Sequence, residues 1–133
     1  MTDDTLDLEA YEDVSTADVR IKHPITGAPT PMVVTIAGPE HPDRKRVYFT
    51  KQRRMRAALA KTGKIPVSDP EEDEADELEL LVMSTLGWTG GSVPFSKDAA
   101  RKLYSEPKRR WLRDQVAAAL NERELFTRAC GPT

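Results

Sequence analysis

Ser68-Asp69-Pro70-Glu71-Glu72-Asp73-Glu74-Ala75-Asp76-Glu77-Leu78-Glu79-Leu80-Leu81-Val82-Met83-Ser84-Thr85-Leu86 contains every part of a helix signature. Ser68 or Asp69 can cap the start, Pro70 suits the first turn, and Glu71 closes a capping box with Ser68. The acids that follow favour the positive end of the helix dipole. Ala75, Leu78, Leu81, Val82, Thr85 and Leu86 recur at helical spacing and form one apolar stripe. The spacing predicts a helix over 69–86, apolar on one face and acidic on the other.

Working upstream, Thr62-Gly63-Lys64-Ile65-Pro66 is a breaker that separates this helix from a second one over 43–62. There Tyr48, Gln52, Met55 and Leu59 stand at helical spacing, Asp43 offers a cap and Gly63 follows the end. Earlier still, Val19-Arg20-Ile21-Lys22 alternates as a half-buried strand does, and Met32-Val33-Val34-Thr35-Ile36 is a β-branched run. The connection His23-Pro24-Ile25-Thr26-Gly27-Ala28-Pro29 has turn composition, which predicts a β element over 18–38. Downstream, Trp88 to Phe95 reads as a loop with large apolar anchors. Ser96 caps a short helix carrying Ala99, Ala100, Leu103 and Tyr104. Pro107 then opens a last helix with Trp111, Leu112, Val116, Ala119, Leu120 and Phe126 on its apolar face, ended by Gly131-Pro132. These two make a C-terminal helical pair over 96–127.

With 133 residues, 38 % hydrophobic and 32 % charged, the chain has room for one modest core. The fold expected is α+β, mainly α: an N-terminal β-hairpin-like element followed by about four helices. Residues 18–128 form a single domain, and residues 1–17 are read as an acidic mobile tail. The expected core is Leu78, Leu81, Val82, Leu86, Trp88, Phe95, Leu103, Trp111, Leu112 and Val116. Leu80-Leu81-Val82-Met83, the longest aliphatic run, is far short of the roughly 20 residues of a membrane span. The opening Met1-Thr2-Asp3-Asp4 has no signal-peptide character. With Cys130 as the only cysteine, a reducing cytoplasm is expected.

The formal net charge of −2 hides four blocks. Residues 1–18 carry −7, residues 43–64 carry +8, residues 69–79 carry −8, and residues 97–128 hold nine bases against five acids. Adjacent blocks of opposite sign joined by a short breaker predict two helices that face one another, within a subunit or between subunits. Exposed ion pairs add only about 0.2–1 kcal/mol each, so the pattern selects the pairing more than it stabilises it. The alternative is a basic helix over 44–64 left open for nucleic acid, with Arg53, Arg54 and Arg56 as contacts. The acidic blocks and the lack of an aromatic stacking platform count against it.

The sequence presents no catalytic constellation. His23 and His41 each precede a proline and are far apart, which does not make a metal pair. The acidic run lacks the alternating ligands and central glycine of a calcium loop. Thr89-Gly90-Gly91-Ser92 has no following Gly-Lys-Ser or Gly-Lys-Thr, so it is not a phosphate loop. Neither histidine has the setting of a catalytic base. No enzyme activity, metal or cofactor is expected. Trp88, Phe95 and Trp111 are either core residues or interface anchors. Arg109 and Arg110, beside Trp111, complete the candidate binding set.

Taken in order, Leu86-Gly87-Trp88, a glycine-bearing loop, Val93-Pro94-Phe95-Ser96, Asp98-Ala99-Ala100-Arg101-Lys102-Leu103-Tyr104, Trp111-Leu112-Arg113-Asp114-Gln115-Val116 and Glu122-Arg123-Glu124-Leu125-Phe126 form a recognisable pattern. It resembles the tail assembly chaperones of long-tailed bacteriophages. The stretch Val19 to Pro29, the β-branched second strand and Gly38-Pro39-Glu40 are similar to the extended start of proteins in that group, so the resemblance covers about residues 19–127. It implies a non-enzymatic helper that binds the tape-measure protein and helps recruit tail tube subunits, and it carries over no catalytic residues. It also implies absence from the finished virion and, in many members, a longer frameshifted form. A nucleic-acid-binding phage protein and a structural adaptor kept in the virion are the alternative readings. Complementary charge blocks also offer a route to a homo-oligomer.

Overall fold

The computed structural model describes residues 5–67 and 69–129. Ser68, Cys130, the Gly131-Pro132 stop and residues 1–4 of the expected tail lie outside them. The fold is α+β and mainly α, with four α-helices and five strands among the described residues.

The alternating pattern upstream forms the antiparallel strands β2 (Thr16–Lys22) and β3 (Pro29–Ala37). Ala17, Val19 and Ile21 turn to one face while Asp18, Arg20 and Lys22 face out, as a period of two requires. The turn between the strands uses Gly27 at φ +74°, and His23 Nδ1 accepts the backbone N–H groups of Ile25 and Thr26. From Gly38 the chain enters α1 (Pro42–Thr62), whose N-cap is His41 in place of the expected Asp43. Pro42 occupies the first turn, which puts Asp43 inside the helix, and the His41 ring nitrogen accepts the Asp43 N–H at 3.1 Å. Gly63 at φ +73° ends the helix, its N–H bonded to the Leu59 carbonyl.

Helix α2 (Pro70–Ser84) starts as its sequence announces, with Asp69 accepting from the Glu71 N–H. It does not run to Leu86. Thr85 is already extended, and Thr85–Thr89 is strand β4, paired antiparallel with β3 so that Trp88 lies opposite Val34. The three-stranded sheet has the order β2-β3-β4. Helix α3 (Lys97–Ser105) is capped by Ser96, as expected, through the Ala99 N–H. Pro107 opens only a 3₁₀ turn (Pro107–Arg109), and α4 follows over Arg110–Leu120. A second 3₁₀ turn (Arg123–Phe126) leads to β5 (Thr127–Ala129), so the last helix is shorter than the apolar spacing suggests.

The expected mobile tail is corrected from Tyr11 onward. Tyr11–Asp13 forms strand β1, which pairs antiparallel with β5, and residues 16 and 17 belong to β2. The reason is local charge. Arg123 reaches Asp13 at 2.8 Å and Arg128 pairs with Glu12, so bases from the C-terminal block neutralise the acids that looked like a solvated tail.

The core lies between one face of the sheet and helices α2, α3 and α4. Leu81, Val82, Trp88, Leu112 and Val116 are buried in it as expected, with Leu78, Phe95 and Leu103 packed at its edge. Ile21, Val34, Ile36, Ala100, Tyr104 and Phe126 complete it. Leu86 is half-buried, and Trp111, expected inside, is 37 % exposed. Polar ties fasten the helices to the sheet. The Gln115 side chain exchanges two hydrogen bonds with the Lys22 backbone, at 2.8 and 2.9 Å, at a register shift of edge strand β2. The Lys97 ammonium donates to the Val82, Met83 and Thr85 carbonyls and so closes the C-terminal end of α2.

Tyr104 gives this core a pH signature. Thr85 Oγ1 donates to the Leu81 carbonyl, so the Tyr104 hydroxyl donates to Thr85 Oγ1 at 2.8 Å. Burial pushes the phenol up to about 12. Its neutral form is favoured in the native state, so this contribution to stability is complete below about pH 10 and is lost as pH rises toward about 12. Urea midpoints should therefore fall across that window by the equivalent of roughly 2–3 kcal/mol. In Tyr104→Phe that part of the fall should be missing.

Candidate functional site

Helix α1 packs against α2. Its start is clamped by Arg44, whose guanidinium donates to the Ala37 and Leu120 carbonyls and lies 5.9 Å from the centre of the Phe126 ring. Burial holds the Arg44 pKa below the usual arginine value. Beyond that clamp the helix leans on α2 through charge. Arg54 donates to Asp76 Oδ2 at 2.8 Å and Lys51 lies 3.8 Å from the same oxygen, so the two opposite blocks do meet within one subunit. The hydrogen bond to Asp76 and the charge of that carboxylate raise the Arg54 pKa.

None of the 21 residues of α1 is buried. Tyr48, Met55 and Leu59, three of the four residues of its apolar stripe, are 58 %, 38 % and 43 % exposed, and Phe49 beside them is 47 % exposed. Tyr48, Phe49 and Met55, with Leu80 and Met83 of α2, line an open groove of about 1020 Å³ between the two helices. The stripe is plain in the sequence, where an apolar row at helical spacing reads as a buried face. Its exposure is a tertiary fact: none of the described residues buries that side.

The candidate binding residues fall into three places. Arg53, Arg54 and Arg56 lie on α1; Arg54 is held by Asp76, while Arg53 and Arg56 carry no ion pair among the described residues. Trp88 is buried in the interior, and Phe95 is partly buried against it. Strand β4 turns Trp88 inward, its indole N–H donates to the Val93 carbonyl at 2.7 Å, and its ring meets Phe95 edge-to-face at 4.9 Å. Arg109, Arg110 and Trp111 form a separate patch where the 3₁₀ turn passes into α4. There Arg110 bonds Asp114 one turn on, and the Trp111 ring lies partly in solvent.

Nearby, Arg113 is 5 % exposed, and its Nη1 donates to the Tyr104 carbonyl at 3.4 Å. No group of three or more metal-ligating side chains occurs among the described residues, and none of their helices is long and apolar enough to cross a membrane. No family model, curated protein or solved structure matches the chain. The described surface carries exposed apolar side chains framed with charge.

Proposed function

We propose that the chain is a non-enzymatic tail assembly chaperone that works in the host cytoplasm. It binds the tape-measure protein through its second half and helps recruit tail tube subunits during assembly. The motif order over residues 86–126 supports this reading, and one observation carries it. Trp111, on the helix that bears part of that pattern, stands at the surface beside Arg109 and Arg110. A large ring with one face in solvent and cations next to it suits a long, apolar helical client, which presents side chains at i, i+3, i+4 and i+7.

Co-expression with the neighbouring tail genes, followed by pull-down and mass spectrometry, tests the proposal. The tape-measure protein should be captured by the intact chain and lost with Trp111→Ala, while far-UV circular dichroism stays unchanged. Tails of normal length after deletion of the gene would sink the reading. So would stoichiometric presence of the protein in purified virions, which would make it a structural adaptor. The nucleic-acid alternative rests on Arg53 and Arg56. Duplex or single-stranded affinity tighter than micromolar at physiological salt would favour it.

A further inference from the structure

We propose that the outer face of the α1–α2 hairpin is the docking surface for a second copy of this chain. The twofold axis runs along the helices, so that α1 of each copy lies on α2 of the other. This inference is independent of the tape-measure reading, which concerns the Trp111 patch.

A helix that buries no side chain lacks the tertiary packing from which most helices in proteins draw their stability. On α1 that packing is missing where the sequence provides for it. Tyr48, Gln52, Met55 and Leu59 are spaced by four, three and four residues, the seam of a helix that packs against a neighbouring helix. In the single chain the seam flanks an open groove.

Charge names the occupant. Within the chain, Asp76 takes Lys51 and Arg54, and Glu79 takes Arg101 of α3. Arg53 and Arg56, which lie beside Tyr48, Phe49 and Gln52, and on the acidic side Glu77, which lines the groove, with Glu74 one turn before it, make no ion pair among the described residues. The face is thus a basic strip beside an acidic one, with apolar side chains between. A single foreign helix of either sign would satisfy one strip and repel the other. A second copy brings both strips.

The side-by-side placement of the two strips then selects the symmetry. Lys97 closes the C-terminal end of α2 and feels the charge of Asp43 in the first turn of α1, so the two helices run antiparallel. Stacking two such faces about an axis across the helices would set α1 on α1, basic against basic. The axis along the helices sets α1 on α2 in both halves of an isologous contact. A face about two helix diameters wide and roughly 25 Å long covers roughly 500 Å² per copy. That is about 1,000 Å² in all, the size at which a specific interface becomes credible.

Sedimentation equilibrium on the full chain tests the proposal. The expected mass is twice 14.9 kDa at micromolar concentration. Arg53→Glu with Arg56→Glu, and separately Glu74→Lys with Glu77→Lys, should each raise the dimer dissociation constant at least about tenfold through like-charge contact. Mixing the two variants in equal amounts should restore dimers, because each then faces its own complement. Circular dichroism of each variant, matched to wild type, excludes simple unfolding. A monomer at every concentration, a larger assembly, a dimer indifferent to both variants, or failure of the mixture to recover dimers would overturn it.

Discussion

Phe126→Ala is expected to lower the unfolding free energy by about 3–5 kcal/mol, read from urea titration, with a cavity left where the ring was. The ring is 1 % exposed and sits at the junction of four parts of the chain. Gly38, at the end of β3, lies so close that a β-carbon there would stand 2.9 Å from the ring. The Phe126 carbonyl accepts the Val14 N–H between β1 and β2, and the Arg44 guanidinium lies over the ring from α1. Hydrogen exchange should therefore accelerate in Tyr11–Asp13 and in the first turn of α1 as well as in the C-terminal segment. Trp111→Ala, which removes a ring already 37 % exposed, should cost clearly less. Equal losses in the two variants would mean that Trp111 is a core residue after all.

Gly90→Ala is expected to be as damaging, for a different reason. Gly90 has φ +75°, and a β-carbon there would lie 2.1 Å from the Pro31 carbonyl oxygen and 2.6 Å from its carbon. Those are backbone atoms of β3, which cannot swing aside as a side-chain tip can. The left-handed conformation alone costs an alanine about 1–2 kcal/mol. The overlap adds the separation of β3 from the end of β4, so the variant should lose the near-ultraviolet signal of Trp88 along with stability. Gly63→Ala is the matched control: φ is +73° and nothing lies within 4 Å of the added carbon, so only the conformational cost remains. If both alanine variants lose the same stability, the close approach to Pro31 does not matter.

Much of this architecture is legible in the sequence because it depends on neighbours in the chain. The Asp69 and Ser96 caps, the alternation in β2 and the stripe of α2 are local signals, and each forms where it is written. β4 is not legible. Ser84-Thr85 contains no breaker, and Thr85 still bonds the Leu81 carbonyl as a helical threonine would. What stops the helix is pairing with β3, some fifty residues earlier. β1 and β5 are hidden for a related reason: three-residue segments made largely of polar and charged side chains have no strand signature, and they cohere through ion pairs across the length of the chain. At the candidate site the residue types were visible but their exposure was not. Trp88 and Trp111 both look like anchors; the register of β4 on β3 puts the first inside, while the second, at the start of α4, lies partly in solvent.

The ladder between β1 and β5 also sets the order in which the molecule can be made. Its Glu12–Arg128 pair joins residues 116 positions apart, and Tyr11 opposite Ala129 closes a still longer loop. Such contacts form after the local ones, because the loop entropy must be overcome before they return anything. On the ribosome, β2, β3, α1, α2 and β4 can assemble as soon as they emerge, whereas β1 waits as an unpaired edge until residues 127–129 have been synthesised and released from the exit tunnel. Nascent chains halted before that point should expose β1 to protease, and the protection should appear in one step once the last strand is free.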